Sequence, residues 1–198
     1  MKEVWNKRFA NNEFIYGKKP NLFFSCEIEK LSPGKLLLPG EGEGRNGVYA
    51  AKLGWEVDAV DWSEKGKEKA EKLSSEFNVK INYIINDLSV YNPKENYYDA
   101  VGLIFLHMNP ELREDIHRKV VNSMKSGGVV ILESYEKEQI NNSSGGPKDL
   151  DLLYSLEDIF TDFSDLNIVS FSKETIELNE SSHHHGQAEV VRYVGLKP

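Results

Sequence analysis

The feature that most constrains the fold is an alternation of short apolar runs with amphipathic stretches, which continues along most of the 198 residues. The runs interpreted as strands are 35–39, 57–61, 81–85, 99–106 and 129–133. The first of them, Lys35-Leu36-Leu37-Leu38-Pro39, is apolar on both faces, as a central parallel strand is. Parallel neighbours need crossover connections, and the stretches between the runs have the period of helices. The sequence therefore predicts an α/β fold with a mostly parallel sheet and helices on both faces.

The predicted helices carry start signals. Ser63 and Asn109 are suited to cap a helix, and Pro110 suits a first helical position. We therefore expect helices after Ser63 and after Asn109, and two more at about 46–53 and 155–163.

The C-terminal part departs from this alternation. Three runs, at 166–171, 174–178 and 188–196, follow one another without a helix between them. We expect them to close the sheet as antiparallel strands that end in a C-terminal hairpin. The polar stretch 135–149 before them is predicted to be a functional or mobile loop, because loops of that length are uncommon otherwise.

Composition indicates one compact domain. We interpret residues 1–198 as that domain, with a lid or helical segment at 1–30 and the core at 35–198. The net charge is −8, without the basic block that nucleic-acid binding needs. The single cysteine, Cys26, excludes an intramolecular disulfide, and no apolar run approaches the roughly 20 residues of a membrane span. We expect a cytoplasmic monomer or homodimer that binds neither nucleic acid nor a membrane.

A glycine-rich loop, Gly40-Glu41-Gly42-Glu43-Gly44, follows the first strand and precedes a predicted helix. Glycines at such a turn let the backbone approach a ligand closely. Gly42–Gly47 also fits the dinucleotide fingerprint G-x-G-x-x-G, and Asp61 follows Gly42 by 19 residues, as a ribose-binding acid would. This spacing alone does not separate NAD from other nucleosides.

The charges of the loop favour one interpretation. Glu41 and Glu43 would repel a pyrophosphate, whereas they suit a ligand that is cationic beside its ribose. S-adenosylmethionine carries a sulfonium and an amino group, so we favour it over NAD as the cofactor. Two other interpretations stay open at this point: a non-catalytic protein that binds this donor, and a loop that only makes a tight turn.

The motifs, taken in order, resemble one enzyme family. The segments that carry the resemblance are 37–46, 57–63, Asp87, 98–101 and 124–133. They resemble a class I S-adenosylmethionine-dependent methyltransferase, and especially the small bacterial and archaeal enzymes related to tellurite-resistance and thiopurine methyltransferases. The resemblance implies a Rossmann-like, seven-stranded, mostly parallel sheet and methyl transfer to a small-molecule acceptor. An NAD(P)-dependent Rossmann oxidoreductase is the alternative.

The resemblance also implies residues that bind the donor. Asp61 would accept both ribose hydroxyls, Trp62 would cover one face of the adenine, and Asp87 would read the adenine amino group. The implied donor contacts are Gly40, Glu41, Gly42, Gly44, Arg45, Asn46, Asp61, Trp62, Ser63, Asp87, Leu88 and Phe105. The family usually carries an acidic residue where this chain has Leu38. We expect Glu41 or Glu43 to supply that charge to the donor's amino group instead.

The acceptor side is predicted less completely. His107 follows the fourth strand at the edge where ligands bind, so it is the candidate for positioning the acceptor or taking its proton. Tyr16 and Asn21 lie in the N-terminal segment, which would close over the donor, and His185 lies at the mouth of the last hairpin. The predicted substrate contacts are Tyr16, Asn21, His107 and His185.

Other charged groups complete the predictions. His117 is expected to be exposed on its helix. The run His183-His184-His185 is not expected to bind a metal, because three adjacent residues of a strand cannot all point at one ion. An anionic acceptor of the tellurite type would need cationic groups, and the candidates are Arg45, Lys18, His107, His185 and Arg192.

Overall fold

A computed structural model describes residues 2–11, 13–181 and 184–198, and it contains one seven-stranded sheet. The strands are β1 Lys35–Pro39, β2 Glu56–Asp61, β3 Asn82–Ile85, β4 Tyr98–Ile104, β5 Met124–Tyr135, β6 Asn167–Ser181 and β7 His184–Leu196. Their order across the sheet is β3-β2-β1-β4-β5-β7-β6. The pairs from β3 to β5 are parallel, and β7 pairs antiparallel with both β5 and β6. The predicted fold class is confirmed.

The helices lie where the alternation predicted them, with two more near the N-terminus. They are α1 Lys2–Phe9, α2 Leu22–Ile28, α3 Arg45–Lys52, α4 Glu64–Glu76, α5 Pro110–Ser123 and α6 Leu156–Asp162. The Ser63 side chain accepts from Gly66 N–H and the Asn109 side chain accepts from Leu112 N–H, so both predicted caps are confirmed. None of the helices in the described part of the chain is long and apolar enough to cross a membrane.

Alternating side chains of the central strands fill two cores, one on each face of the sheet. Leu37 belongs to the core that packs against Ile116 of α5 and Ile159 of α6. Leu36 and Leu38 belong to the opposite core, which packs against α2, α3 and α4. This explains why β1 is apolar at every position that the sheet buries.

The largest departures from prediction lie in two regions of the C-terminal half. The runs at 166–171 and 174–178 form one continuous strand, β6, which pairs with β7 along nearly its whole length. The stretch 135–149, predicted as a long loop, contains a short 3₁₀ helix, Lys137–Asn141, and a second one, Leu150–Leu152, follows it. The polar residues that suggested breaks are tolerated in β6 because it is an edge strand with a largely exposed face.

The order of the strands determines where a ligand can bind. The chain moves outward from β1 to β3 and then returns to the other side of β1 with β4, so the direction reverses between β1 and β4. In open α/β sheets the crevice at such a reversal, beyond the carboxyl ends of the strands, is the usual ligand site. The glycine loop follows β1 at this edge, and His107 follows β4 there.

Candidate active site

The glycine loop is held in a shape that only glycine adopts easily. Gly40 and Gly44 have φ angles of +70° and +89°, in the left-handed region. A Cβ atom on Gly44 would lie 2.6 Å from the Cβ of Ala70, and one on Gly40 would lie 2.6 Å from Leu106 Cδ1. The loop therefore brings its backbone against α4 on one side and against the residues after β4 on the other.

Asp61 fixes this loop from the end of β2. Its Oδ2 accepts from Gly42 N–H at 3.1 Å, and its Oδ1 accepts from Ser63 N–H at 2.9 Å. Tyr83 donates its hydroxyl to Gly42 O at 2.6 Å. Burial raises the pKa of Asp61, with the backbone donors opposing that shift. A carboxylate thus stands beside a close-approach glycine at the reversal point, which is the arrangement that a ribose requires.

The two carboxylates of the loop have partners within the protein. Glu41 Oε1 accepts from Asn46 N–H and Gly47 N–H at 2.9 and 2.7 Å, at the start of α3. Glu43 forms an ion pair with Lys69 at 2.6 Å. The structure therefore does not support the inference that these two carboxylates face a ligand. Glu41 accepts hydrogen bonds from the N-terminus of α3, and Glu43 is paired with Lys69.

Other residues predicted to contact S-adenosylmethionine form ion pairs, hydrogen bonds and packing contacts within the protein. Arg45 Nη1 lies 2.9 Å from Glu180 Oε2, and Asn46 Oδ1 accepts from Asn21 N–H at 2.9 Å. Ser63 uses its hydroxyl as the cap of α4 and donates it to Asn6. Leu88 packs against the core beneath α5.

Two of the residues predicted to contact S-adenosylmethionine are more exposed to solvent. Trp62 is half-buried next to Asp61, and Asp87 is exposed after β3. One carboxylate oxygen of Asp87 accepts from the backbone and the hydroxyl of Ser89. Both residues lie at the carboxyl edge of the sheet, where the resemblance placed them.

The N-terminal segment lies on the glycine loop. The buried ring of Phe9 contacts Gly42, where an added Cβ would be 3.3 Å from the ring. Ile15 N–H donates to Glu43 Oε2 at 2.9 Å, and Lys69 donates to Glu13 O at 2.6 Å. The Phe9 ring therefore covers the glycine loop, and a hydrogen bond to the Glu43 carboxylate of the loop holds the N-terminal segment in place.

An aromatic cluster occupies the other side of the reversal point; it consists of Tyr16, Phe105, His107, Tyr135 and His184. The ring centroids lie 4.5 Å apart for Tyr16 and His184, 4.6 Å for Phe105 and Tyr135, and 5.4 Å for His107 and Tyr135. Phe105 adopts a φ of +50°, which is strained for an aromatic residue. Such strain is concentrated at functional sites.

His107 has the hydrogen-bonding pattern of a neutral base. Its Nδ1 lies 2.8 Å from Leu152 O, and because a carbonyl only accepts, Nδ1 carries the proton. Burial lowers the pKa of His107 to about 4, so the ring is neutral near pH 7. Its Nε2 is buried and has no hydrogen-bond partner, and neither has the buried hydroxyl of Tyr135. The aromatic cluster thus contains two buried polar atoms without a hydrogen-bond partner.

A polar network lies beside the aromatic cluster. Asn21 Nδ2 donates to Glu133 Oε1 at 2.6 Å and to Glu180 Oε1 at 3.2 Å. Arg192 forms an ion pair with Glu133 at 2.6 Å, and His184 Nδ1 lies 3.0 Å from Glu180 Oε2. The network joins the N-terminal segment, the end of β5 and the final hairpin.

The structure brings three of the four residues predicted for the acceptor side to one place. His107, Tyr16 and Asn21 lie together, but His185 is exposed, and its neighbour His184 is the one buried in the aromatic cluster. Tyr135 and Glu133 were missed, although the rule that ligands bind at carboxyl ends of strands would have selected both at the end of β5. His183 lies outside the described residues.

The prediction that His117 is exposed was wrong. Its side chain is buried, with Nδ1 2.7 Å from Asp162 Oδ2, and its ring stacks on Phe163. Arg113 pairs with the same carboxylate at 2.7 Å. The helix α6 covers this face of α5, which the sequence of α5 alone does not reveal. In the described ranges, no three His, Cys, Asp or Glu residues are grouped so that they could hold a metal ion.

Comparisons with known proteins agree with this architecture. The sequence profile described as "Tellurite resistance protein TehB" matches residues 21–194. A 99-residue stretch is 29% identical to the probable S-adenosyl-L-methionine-dependent methyltransferase TehB of Haemophilus influenzae, covering 50% of this chain and 35% of that protein. The matched region thus spans about a third of the length of this curated relative.

Solved structures share the fold. TehB from Haemophilus influenzae superposes with a TM-score of 0.75 at 17% identity, covering 100% of this chain and 67% of that one. Magnesium protoporphyrin IX methyltransferase from Synechocystis PCC 6803, solved with bound SAH, gives a TM-score of 0.68 at 15% identity, covering 99% and 94%. Since the profile matches most of the residues, the chain belongs to the TehB family of class I S-adenosylmethionine-dependent methyltransferases.

Proposed function

We propose that this protein transfers a methyl group from S-adenosylmethionine to a small-molecule acceptor. The observation that carries the proposal is the adjacency of two unlike half-sites at the reversal between β1 and β4. One is the loop of Gly42 held by Asp61, and the other is the buried, partner-free Nε2 of His107. Membership of the TehB family supports S-adenosylmethionine as the cofactor.

The residues present fit this donor. The glycine loop has the left-handed backbone of a tight turn after β1, and the buried carboxylate of Asp61 follows β2 as a ribose-binding acid does. Trp62 and Asp87 would contact the adenine, and Phe105 would border the methionine end. When bound, the donor supplies an activated methyl group.

The residues of the chain would position the two reactants and exclude water from the site. Methyl transfer is an in-line displacement, so holding the two reactants at near-attack distance supplies most of the acceleration. Phe9 and the N-terminal segment would exclude water from the donor, and the aromatic cluster would hold the acceptor. His107 Nε2 would take the proton that a protonated acceptor loses.

The surroundings of the aromatic cluster favour a small acceptor over a macromolecule. The backbone of Gly146 in the loop before α6 lies against the ring of Tyr135, and Leu152 of the same loop binds His107. Tyr16 contributes the opposite wall from the N-terminal segment. A site walled by two chain segments fits a small molecule, and the net charge of −8 disfavours nucleic acid. A cytoplasmic monomer or homodimer remains our expectation.

Calorimetric titration tests the proposal. We expect S-adenosylmethionine and S-adenosylhomocysteine to bind and NAD not to bind. The substitution Asp61→Asn should weaken donor binding at least tenfold, or ~1.4 kcal/mol, because it replaces an acceptor oxygen with an N–H that opposes Gly42 N–H or the ribose. Asp165→Asn removes the same charge from an exposed turn and should leave the affinity unchanged. Binding of NAD instead, or an unaffected Asp61→Asn variant, would contradict the proposal.

A further inference from the structure

The hairpin of β6 and β7 extends beyond the rest of the sheet. Strand β7 pairs with β5 from Val190 onward, whereas residues 184–188 pair with β6 alone. Leu178 is the last buried side chain of β6, and it lies in an apolar cluster. We call the described residues beyond it, 179–181 and 184–186, the hairpin tip. Because an isolated two-stranded hairpin is only marginally stable, the hairpin tip depends on contacts outside the sheet.

The base of the hairpin tip has an irregular backbone. Gly186 adopts a φ of +100°, in the left-handed region that favours glycine. The register between β6 and β7 also shifts between Asn179 and Ser181, as it does at a bulge. Hinges absorb a rotation at a few residues near the ends of elements. The hairpin tip can therefore turn about its base while Leu178 stays packed in its apolar cluster.

The hairpin tip lies on the N-terminal segment that covers the glycine loop. A Cβ atom on Gly17 would lie 2.8 Å from Glu180 O, so the two backbones are in close contact. The ring centroids of Tyr16 and His184 lie 4.5 Å apart. Tyr16 and Gly17 directly follow Ile15, whose N–H donates to the glycine loop. The hairpin tip thus holds the N-terminal segment on the side opposite the loop.

The carboxylate of Glu180 connects the hairpin tip to the residues beneath it. Its Oε2 lies 2.9 Å from Arg45 Nη1 and 3.0 Å from His184 Nδ1, and its Oε1 accepts from Asn21 Nδ2 at 3.2 Å. Arg45 also donates to Tyr16 O at 3.2 Å. One carboxylate therefore joins the hairpin tip to the start of α3 and to the N-terminal segment.

These charges are shielded from solvent. The side chains of Arg45 and Glu180 are 8% and 14% exposed. Partly buried pairs are screened by salt much less than exposed ones, and separating such a pair leaves each charge without its partner. The ion pair therefore opposes any movement that lifts the hairpin tip.

The groups that would meet the donor and the acceptor lie beneath these covering segments. Asp61, His107 Nε2 and the hydroxyl of Tyr135 are buried, and the ring of Phe9 lies on Gly42. A molecule of the size of S-adenosylmethionine reaches such groups only after a covering segment has moved. Lids of this kind control the entry and release of ligands in many enzymes.

We propose that the hairpin tip keeps the N-terminal segment closed over the donor and that the ion pairs of Glu180 set how fast the donor enters and leaves. This proposal rests on the proposed function. Glu180 pairs with residues of the protein, so its ion pairs oppose opening equally in the free and in the donor-bound protein. Weakening them raises the rate constants of association and dissociation by similar factors and leaves the affinity nearly unchanged.

The substitution Glu180→Gln tests the proposal, because it removes the charge and keeps the size of the side chain. Association and dissociation of tritiated S-adenosylhomocysteine are followed by rapid filtration, the latter after a chase with unlabelled ligand. We expect both rate constants to rise at least about fivefold, with a change in Kd below about threefold. Unchanged rate constants, or a rise in the dissociation rate constant alone, would overturn the proposal.

An exposed glutamate of the same strand is the matched control. Glu177→Gln removes the same charge from β6 and should leave both rate constants at their wild-type values. If it accelerates exchange of the ligand as much as Glu180→Gln does, the effect comes from the net charge of the hairpin, and the proposed role of Glu180 is wrong.

Hydrogen exchange measures opening without any ligand. In Glu180→Gln, the amides of residues 13–21 and 184–188 should exchange faster together, while those of α5 keep their wild-type rates. Faster exchange in the hairpin tip alone would show that the two segments open independently and would contradict the proposal.

The two proposals fail in different ways. If S-adenosylhomocysteine does not bind to the wild-type protein, the proposed function fails, and hydrogen exchange still tests whether the hairpin tip and the N-terminal segment open together. If it binds and Glu180→Gln exchanges it at the wild-type rates, only the role of the hairpin tip is wrong.

Discussion

Glu41 is a carboxylic acid placed where the first turn of a helix leaves backbone N–H groups unpaired. Its Oε1 accepts from Asn46 N–H and Gly47 N–H, and the positive end of α3 favours its ionised form. Burial acts in the opposite direction and is the larger effect, raising the pKa of Glu41 to about 7. The residue therefore retains its proton to a higher pH in the folded state than in the unfolded chain.

The raised pKa of Glu41 in the folded state determines how the free energy of unfolding depends on pH. Between pH 4.5 and 7 the folded protein holds the Glu41 proton that the unfolded chain has released, so the free energy of unfolding falls as the pH rises. The substitution Glu41→Gln removes the titration while keeping an oxygen for the helix. Relative to the wild type, the variant should gain up to about 3 kcal/mol between pH 5 and pH 8, measured by urea unfolding.

An exposed glutamate provides the control. Glu71→Gln changes the same group on the outer face of α4 and should show no comparable gain. If Glu41→Gln instead loses stability at pH 8, the carboxylate is ionised and held by the helix, contrary to the expectation. Donor affinity should be unchanged in Glu41→Gln, because this carboxylate already binds α3.

Beyond single residues, the connection from β4 to α5 holds His107 in place. Tyr154 donates its hydroxyl to Leu106 O at 2.6 Å and accepts from Met108 N–H at 3.0 Å, so it binds the backbone on both sides of the histidine. The strained φ of Phe105 precedes this turn. Tyr154 is therefore a positioning residue that acts through His107.

Removing one hydroxyl tests that role. Tyr154→Phe should lower kcat at least tenfold and leave the KM for the donor unchanged, because it frees the backbone around His107. A less buried imidazole has a higher pKa, so the acid limb of the pH–rate profile should move upward from about 4 toward 6.5. Tyr49→Phe removes a hydroxyl that binds Glu29 at the surface and should alter neither. A fall in activity with an unmoved acid limb would indicate only a structural role.

The N-terminal helix should matter for the donor more than for stability. Phe9 covers Gly42 from α1, and the rest of that helix is largely exposed. We expect Phe9→Ala to weaken binding of S-adenosylhomocysteine at least tenfold in calorimetry, since the ring that would exclude water is lost. Val4→Ala, at a side chain that is 64% exposed on the same helix, should bind as the wild type does. Equal affinities for both variants would show that α1 is not a lid.

The helices and strands could be predicted where the pattern that marks them lies within a few neighbouring residues of the sequence. The strand periods, the caps at Ser63 and Asn109 and the glycine loop all depend on neighbours in the sequence. The choice of His184 over His185 was not predictable, because successive side chains of a strand point to opposite faces and a shift of one residue exchanges them. The burial of His117 depends on Asp162, which lies 45 residues away.

At the scale of the whole molecule, Asn21 links regions that are distant in the sequence. Its backbone N–H binds Asn46 at the glycine loop, and its side chain caps α2 while donating to Glu133 and Glu180. The buried Asn21 is therefore bonded to the residues after the glycine loop, to the end of β5 and to the hairpin of β6 and β7. Its loss should loosen both half-sites together, and not one of them alone.

Asn21→Ala measures this coupling. The variant loses an N-cap and removes a donor from the buried carboxylate of Glu133 and from the partly buried one of Glu180, so the free energy of unfolding should fall by about 2–4 kcal/mol in urea titrations. Because the loss reaches both half-sites, affinity for S-adenosylhomocysteine and turnover of the acceptor should decline together. Asn11→Ala, at an exposed position, should change neither. If Asn21→Ala reduced acceptor turnover while donor affinity stayed at the wild-type value, the two half-sites would be independent, and Asn21 would belong to the acceptor side only.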